Sequence, residues 1–256
     1  MAYRKDADLE FLREMESKDL HDLVEAITKD KDGDLRLTEE LTTKDIYKKN
    51  YPNHAKYWEL VAAEIQCFGA NSFATMLRGG EGVPYREVLS DVCDKAKVNY
   101  NKSQSIESIE NQVLIKLLGD ATEKMSEADR AEFAKLVGLN AAKTLSPESM
   151  MAAAQAAFMA GGFQSYRMAL MVANGVSRAL LGRGLTLVAN ATLTRTLGII
   201  SGPIGWAVTG AWTAIDLAGP AFRVTLPAVI HVALLRKRHQ AQIDGLIAEI
   251  EKELSK

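Results

Sequence analysis

The sequence has few of the residues that mark disulfide-rich or nucleic-acid-binding proteins. Its 256 residues include only two cysteines and six prolines, and 31 basic against 33 acidic side chains give a formal net charge of −2. Two cysteines cannot build a disulfide framework and indicate a reducing compartment. A near-neutral chain lacks the basic surplus that neutralises nucleic-acid phosphates. These shortages exclude a disulfide scaffold, and we predict no nucleic-acid partner.

The first residues do not resemble a signal peptide, and strand patterns are missing from the sequence. Residues 1–20 are charged throughout and contain no apolar stretch of the kind that a signal peptide needs. No segment shows sustained alternation of apolar and polar residues between hairpin turns. We therefore predict a cytoplasmic protein with an all-α fold.

Charged residues are distributed unevenly along the chain. Residues 1–148 contain 49 of them, 21 basic and 28 acidic, whereas residues 149–235 contain only six, with a net charge of +4. Residues 236–256 return to ordinary polarity. This contrast predicts an acidic helical domain over residues 1–148, an apolar, glycine-rich helical region over residues 149–235 and a charged C-terminal helix over residues 236–256.

Several helix ends can be predicted from local signals. Ser126 followed by Asp129 resembles a capping box, which starts a helix. Gly161 and Gly162 close the Ala- and Met-rich run that precedes them, because glycine readily adopts the left-handed conformation at a helix end. Gly119 follows an apolar seam and is predicted to stop that helix in the same way.

The longest uncharged run lies between Arg195 and Asp216 and contains twenty residues. At about 1.5 Å per residue it would extend roughly 30 Å, the thickness of the hydrocarbon core of a bilayer. Gly202 and Pro203 near its middle favour two helices joined there. Gly198 and Gly202 have the spacing that lets two helices pack closely. The run is therefore either a buried hairpin of the core or a segment in contact with a membrane.

Arginine and lysine residues in apolar surroundings are the first candidates for contact with a partner. Arg223, between Phe222 and Val224, needs an acidic partner or a phosphate, and an internal pair with Asp216 is the alternative. The basic cluster at residues 236–238 is placed to meet anionic lipid headgroups. We predict membrane or partner contact at Gly198, Gly202, Pro203, Arg223, Arg236, Lys237 and Arg238.

No motif predicts catalysis, a metal or a cofactor. The four histidines are far apart and show no zinc-ligand spacing with each other or with the cysteines. The acidic loop that begins at Asp30 resembles half of a calcium loop, but Leu35 and Leu41 stand where the glycine and the bidentate glutamate are required. His231, in an apolar run, is predicted to be a hydrogen-bonded interior histidine. We therefore predict a non-enzymatic protein with no metal and no cofactor.

Several segments resemble the bacterial YaaW-like proteins. They are DADLEFL at residues 6–12, the block at residues 57–98, GPIG at residues 202–205 and AFRVTLPAVIHVALLRKR at residues 221–238. The resemblance runs nearly from end to end, and these proteins are grouped by sequence with the ubiquinol–cytochrome c chaperones, which help assemble a respiratory complex. It implies a helical fold and an assembly or membrane-associated role, and it supplies no catalytic residue.

Three functions are compatible with the sequence. The first is a peripherally membrane-associated assembly or protein-interaction factor on the inner face of the cytoplasmic membrane, with a protein partner or an anionic lipid surface. The second is a conditional pore-former that inserts the hairpin around Gly202 and Pro203. The third is a soluble helical protein with an unrecognised ligand-binding or enzymatic pocket.

Overall fold

The computed structural model describes residues 2–37, 39–68, 82–123, 125–136, 146–186 and 221–254. These residues form an all-α fold, as predicted, with one isolated antiparallel bridge between Lys29 and Leu35. Short 3-10 helices cover Glu10–Glu14, Leu41–Thr43 and His54–Tyr57. The α-helices of the described residues are α1 (Ser17–Thr28), α2 (Asp45–Asn50), α3 (Trp58–Phe68), α4 (Tyr85–Lys95), α5 (Ile106–Thr122), α6 (Glu127–Leu136), α7 (Pro147–Ala160), α8 (Gly162–Leu181) and α9 (Phe222–Leu254).

Two predicted helix ends are confirmed. Before α6, the N–H group of Asp129 donates to the Ser126 hydroxyl at 3.2 Å, and the N–H group of Ser126 donates to the Asp129 carboxylate at 3.3 Å. This is the reciprocal geometry of a capping box. Helix α7 ends at Ala160, and Gly161 and Gly162 then adopt φ values of 71° and 62°. Only glycine takes up such angles without a steric cost.

The helix stop predicted at Gly119 is wrong. Helix α5 continues past this residue to Thr122. A Cβ atom at Gly119 would lie 3.5 Å from Cε of Met151 in α7. That separation is an ordinary van der Waals contact, so alanine would fit here as well, and packing against α7 outweighs the cost of glycine in a helix, about 1 kcal/mol.

At another helix end, a lysine occupies a backbone conformation that favours glycine. Lys97, two residues after α4, has a φ of 54°. The N–H group of Val98 donates to the Cys93 carbonyl at 2.9 Å, and that of Lys97 donates to the Asp94 carbonyl at 3.3 Å. This is a Schellman motif, in which the left-handed position favours glycine. Because no glycine is present, the sequence gives no local signal for this helix end.

We expect Lys97→Gly to raise the free energy of unfolding by about 1 kcal/mol, because it removes the contact between Cβ and the backbone in the left-handed conformation. Equilibrium unfolding in urea measures the change. The same substitution at the exposed loop residue Lys102, whose φ is not positive, is the control and should not stabilise the protein. Equal effects of the two substitutions would contradict the strain at Lys97.

One hydrophobic core joins the front and back of the chain. Helix α9 packs most extensively on α8 and α1 and also contacts α4 and α5. Leu226 and Val229 of α9 belong to the same buried cluster as Leu20 and Leu23 of α1. The buried residues between 222 and 235 are therefore covered both by α8 and by helices of the acidic front part, while the boundary at residue 148 stays a prediction.

Within the predicted C-terminal helix over residues 236–256, residues 236–254 are helical and continue α9, which runs without a break from Phe222 to Leu254, and the division at residue 236 stays a prediction. None of the described helices combines the length and the apolar character that crossing a bilayer requires. The uncharged run at residues 196–215, with its predicted hairpin, lies outside the described residues.

Candidate protein-interaction surface

The C-terminal half of α9 extends beyond the core. Residues 228–235 are buried, whereas residues 242–252 are exposed throughout. We call residues 240–254 the C-terminal arm. At about 1.5 Å per residue, the arm is about 22 Å long.

Four large apolar side chains lie on one face of the arm. Ile243, Leu246, Ile247 and Ile250 are 37%, 59%, 49% and 51% exposed. Their spacings of three, four and seven residues bring them to one side of a helix. We call these four residues the apolar stripe. A continuous apolar face that the described part of the chain leaves uncovered is typical of a helix that packs against another polypeptide.

Acidic side chains border the apolar stripe. At about 100° per residue, Asp244 and Glu251 fall on one side of it and Glu249 falls on the other, while Lys252 lies on the opposite face of the helix. All four of these side chains are exposed. The stripe therefore lies between two negatively charged edges.

The basic cluster at residues 236–238 forms the base of the arm and pairs with acidic residues of the same chain. Lys237 Nζ lies 2.5 Å from Glu107 Oε1 of α5, and Arg238 Nη2 lies 2.8 Å from Asp19 Oδ1 of α1. The side chains of Lys237 and Arg238 are only 3% and 18% exposed. These ion pairs attach the middle of α9 to two other helices.

Arg236 is the centre of a buried network at the same level. Its Nε donates to Glu110 Oε2 at 2.8 Å, its Nη2 donates to the Asp8 carbonyl at 2.6 Å, and its guanidinium lies 4.4 Å from the centre of the Phe11 ring. The Tyr85 hydroxyl donates to the other oxygen of Glu110 at 2.9 Å. Burial raises the pKa of Glu110, and the Arg236 guanidinium opposes that change.

The predicted contact residues do not form one site in the described structure. Gly198, Gly202 and Pro203 lie outside the described residues, and Arg223 lies on an exposed position in the first turn of α9. Because the cations at residues 236–238 have partners within the chain, lipid contact through them, which stays a prediction, would require them to exchange those ion pairs.

The apolar stripe was not predicted, although its signal is present in the sequence. The helical spacing of its four members is visible without a structure. The high charge content of residues 236–256 concealed it, since the segment was classified by composition and not by periodicity.

The interior histidine predicted at residue 231 is confirmed. His231 is buried, with Nδ1 2.7 Å from the Pro227 carbonyl oxygen and Nε2 3.3 Å from the Ser177 hydroxyl. Burial lowers its pKa, so the ring is favoured in its neutral form. Both ring nitrogens are engaged inside the protein, which makes His231 a structural residue.

Two other buried groups have strongly shifted pKa values. Glu64 accepts the N–H group of Glu40 at 3.1 Å, and burial raises its pKa to about 7. His54 has Nε2 at 3.0 Å from His21 Nδ1 and Nδ1 at 2.6 Å from the Tyr57 hydroxyl, and burial lowers its pKa to about 4. Within the described ranges, no three histidine, cysteine or carboxylate side chains converge as a metal site would require.

The turn between α7 and α8 carries a second exposed apolar pair. Met159 and Phe163 are 79% and 58% exposed, and the Arg167 guanidinium lies 5.9 Å from the centre of the Phe163 ring. An apolar tip beside a cation is a common arrangement at membrane interfaces and protein interfaces.

This turn lies at the same end of the molecule as the arm. Ser177 of α8 contacts His231 of α9, and Tyr166, nearer the start of α8, lies beside Arg238, nearer the arm. Helices α8 and α9 are therefore antiparallel, and the start of α8 is level with the point at which the arm leaves the core.

The chain is similar to bacterial proteins over most of its length. A UPF0174 protein of Helicobacter pylori strain J99 is 48% identical over 252 residues, which are 98% of this chain and 99% of that protein. A second UPF0174 protein of the same strain is 42% identical over 210 residues, 80% and 100% of the two chains. The UPF0174 protein YaaW of Escherichia coli K12 is 31% identical over 243 residues, 92% and 95% of the two chains.

Two family descriptions also match the sequence. A domain of unknown function, DUF3944, matches residues 3–37, and the ubiquinol–cytochrome C chaperone family matches residues 53–233. No solved structure matches the chain. The resemblance predicted from the sequence is confirmed: the chain belongs to the UPF0174 (YaaW-like) proteins and to the ubiquinol–cytochrome C chaperone family.

Proposed function

We propose that this protein is a non-enzymatic, chaperone-like assembly factor that binds a partner polypeptide on its C-terminal arm. The observation that carries the proposal is the apolar stripe, which the body of the protein leaves exposed on a helix that extends beyond the core. Membership of a family named for chaperones supports an assembly role. An exposed apolar helix face of this kind is typical of a surface that packs against another polypeptide.

The size of the stripe favours a reversible complex. Covering the exposed half of four large apolar side chains contributes about 1 kcal/mol for each. Association loses translational and rotational freedom, which offsets much of this gain. A contact of this strength holds a partner transiently, as an assembly factor must in order to release it.

Site-specific photo-crosslinking in cells tests the proposal. A photoreactive amino acid in place of Ile247 is expected to give discrete adducts with one or a few proteins, and Ile250→Ser in the same chain should abolish them. The matched control places the photoreactive residue at position 252, on the opposite face of the arm, and should give none. Adducts that contain only this protein, or equal labelling from the two positions, would contradict the proposal.

Peripheral membrane association is a second candidate, supported by a different surface. Met159 and Phe163 are exposed beside Arg167 at the turn between α7 and α8, and such a tip can enter the headgroup region of a bilayer. We expect co-sedimentation with anionic vesicles at low salt, reduced at least about threefold by Phe163→Ser. Ile46→Ser, at another exposed apolar residue, is the control and should not reduce it.

A wild-type protein that stays wholly in the supernatant would rule out the membrane candidate. Insertion of residues 196–215 as a pore stays a prediction, because these residues lie outside the described part of the chain. Release of dye from the same vesicles at several pH values tests it.

A further inference from the structure

We infer that the occupant of the C-terminal arm is a basic amphipathic helix, whose own apolar face is bordered by lysine or arginine. The inference rests on the proposed function and adds the chemistry of the partner. It follows from the shape of the apolar stripe and from the charges on its two edges.

The shape of the stripe favours a helical partner. Ile243, Ile247 and Ile250 are separated by four and three residues, the alternation that forms the seam of a two-helix coiled coil. Leu246 widens the seam on one side. A straight ridge about 22 Å long is matched by a partner helix of about 15 residues.

The edges of the stripe define the partner's charge. Asp244 and Glu251 border the seam on one side and Glu249 borders it on the other, at positions that face the flanks of a packed partner helix. Charges at such flanking positions determine which partners pair, because like charges repel and opposite charges attract across the seam. A partner with lysine or arginine at the corresponding positions fits both edges.

A second copy of this chain is a poor occupant for the same reason. Two arms packed in parallel or antiparallel register bring acidic edges against acidic edges. An anionic lipid surface would also be repelled by Asp244, Glu249 and Glu251. The only lysine between residues 239 and 254 is Lys252, on the face opposite the stripe, so it does not offset these edges.

Binding of designed helical peptides to the full-length protein tests the inference. The three peptides share one leucine seam and carry lysines beside the seam, glutamates beside the seam, or lysines on the opposite face. By fluorescence anisotropy, the peptide with lysines beside the seam should bind about tenfold tighter than the glutamate peptide, and the difference should shrink at high salt. The peptide with lysines on the opposite face should fall between them.

Variants of the arm make the test specific. The triple variant Asp244→Lys/Glu249→Lys/Glu251→Lys, which changes the charge of both edges, should reverse the preference in favour of the glutamate peptide. Lys252→Glu is the matched control on the opposite face and should leave the preference unchanged. Because these residues lie outside the core, circular dichroism and the unfolding midpoint should match the wild type.

The outcomes separate this inference from the proposed function. Equal affinities for the lysine and glutamate peptides would overturn the inference. Dimers of this protein that disappear in Ile247→Ser would also overturn it, and so would binding to vesicles that requires Ile247. If crosslinking at position 247 still captures a partner protein in these cases, the proposed function stands without the inference. If the peptides discriminate by charge but no cellular protein is captured, the inference about the arm stands and the proposed function fails.

Discussion

Arg236→Met is expected to lower the free energy of unfolding by about 3–5 kcal/mol at neutral pH, because it leaves the Glu110 carboxylate buried without its charged partner. The Glu110 side chain is inaccessible to solvent, so water cannot replace the guanidinium. The loss should shrink at low pH, where a protonated Glu110 no longer needs a counter-ion. Equilibrium unfolding in denaturant at two pH values measures both effects.

A double-mutant cycle and a surface pair provide the controls. Arg236→Met/Glu110→Leu replaces both partners with apolar groups and should recover most of the stability, because no buried charge is left alone. Lys116→Met breaks the partly exposed pair between Lys116 and Asp120 and should cost less than about 1 kcal/mol. A loss below 1 kcal/mol for Arg236→Met would contradict the buried network.

Glu64→Gln is expected to raise the free energy of unfolding above that of the wild type. The difference between the two proteins should grow by about 3 kcal/mol as the pH rises from 4.5 to above 7. Burial raises the pKa of Glu64 to about 7 in the folded protein, against 4.5 as its ordinary value. The folded state therefore binds a proton more tightly than the unfolded state. The stability that this proton contributes is fully present below pH 4.5 and is lost as the pH rises through 7.

His54 contributes a pH dependence of opposite sign. Burial lowers its pKa to about 4 in the folded protein, below its ordinary value of 6.5. The stability associated with its neutral ring is fully present above pH 6.5 and is lost as the pH falls toward 4. In the wild type, the pH dependences that Glu64 and His54 give to the free energy of unfolding partly cancel. In Glu64→Gln only the contribution of His54 is left of the two, so the free energy of unfolding should fall on acidification.

Unfolding curves of the wild type and Glu64→Gln between pH 4.5 and 8 measure the difference. Glu59→Gln is the control on the same helix, since the Glu59 carboxyl is exposed to water in the folded as in the unfolded chain. The difference in free energy of unfolding between Glu59→Gln and the wild type should stay constant between pH 4.5 and 8. A constant difference for Glu64→Gln as well would show that the Glu64 carboxyl is not desolvated.

Features with local causes could be predicted from the sequence. The capping box at Ser126 and Asp129 and the glycines after α7 depend on neighbours within a few residues, so their spacing alone indicates them. Gly119 shows where this approach fails. The helix continues past it, and the side chain that it faces, Met151, is 32 positions later, so no local pattern distinguishes this glycine from a helix stop.

The buried network could not be predicted for the same reason. Arg236 and Glu110 are 126 positions apart, and only the packing of α9 on α5 brings them together. The uneven charge distribution was visible in the sequence, and it indicated a basic cluster available to lipid. The structure places acidic side chains of the front part against that cluster, so the positive charge of these three residues is compensated within one molecule.

The continuity of α9 from Phe222 to Leu254 has a mechanical consequence. Cations near its midpoint form ion pairs with acidic residues of α1 and α5, and these contacts fix how the helix is rotated about its own axis. A partner on a flexible tether would sample every direction. A partner bound to a stiff helix that is fixed in rotation keeps a constant orientation relative to the core. The protein would then dictate the angle at which two components meet, in addition to bringing them together.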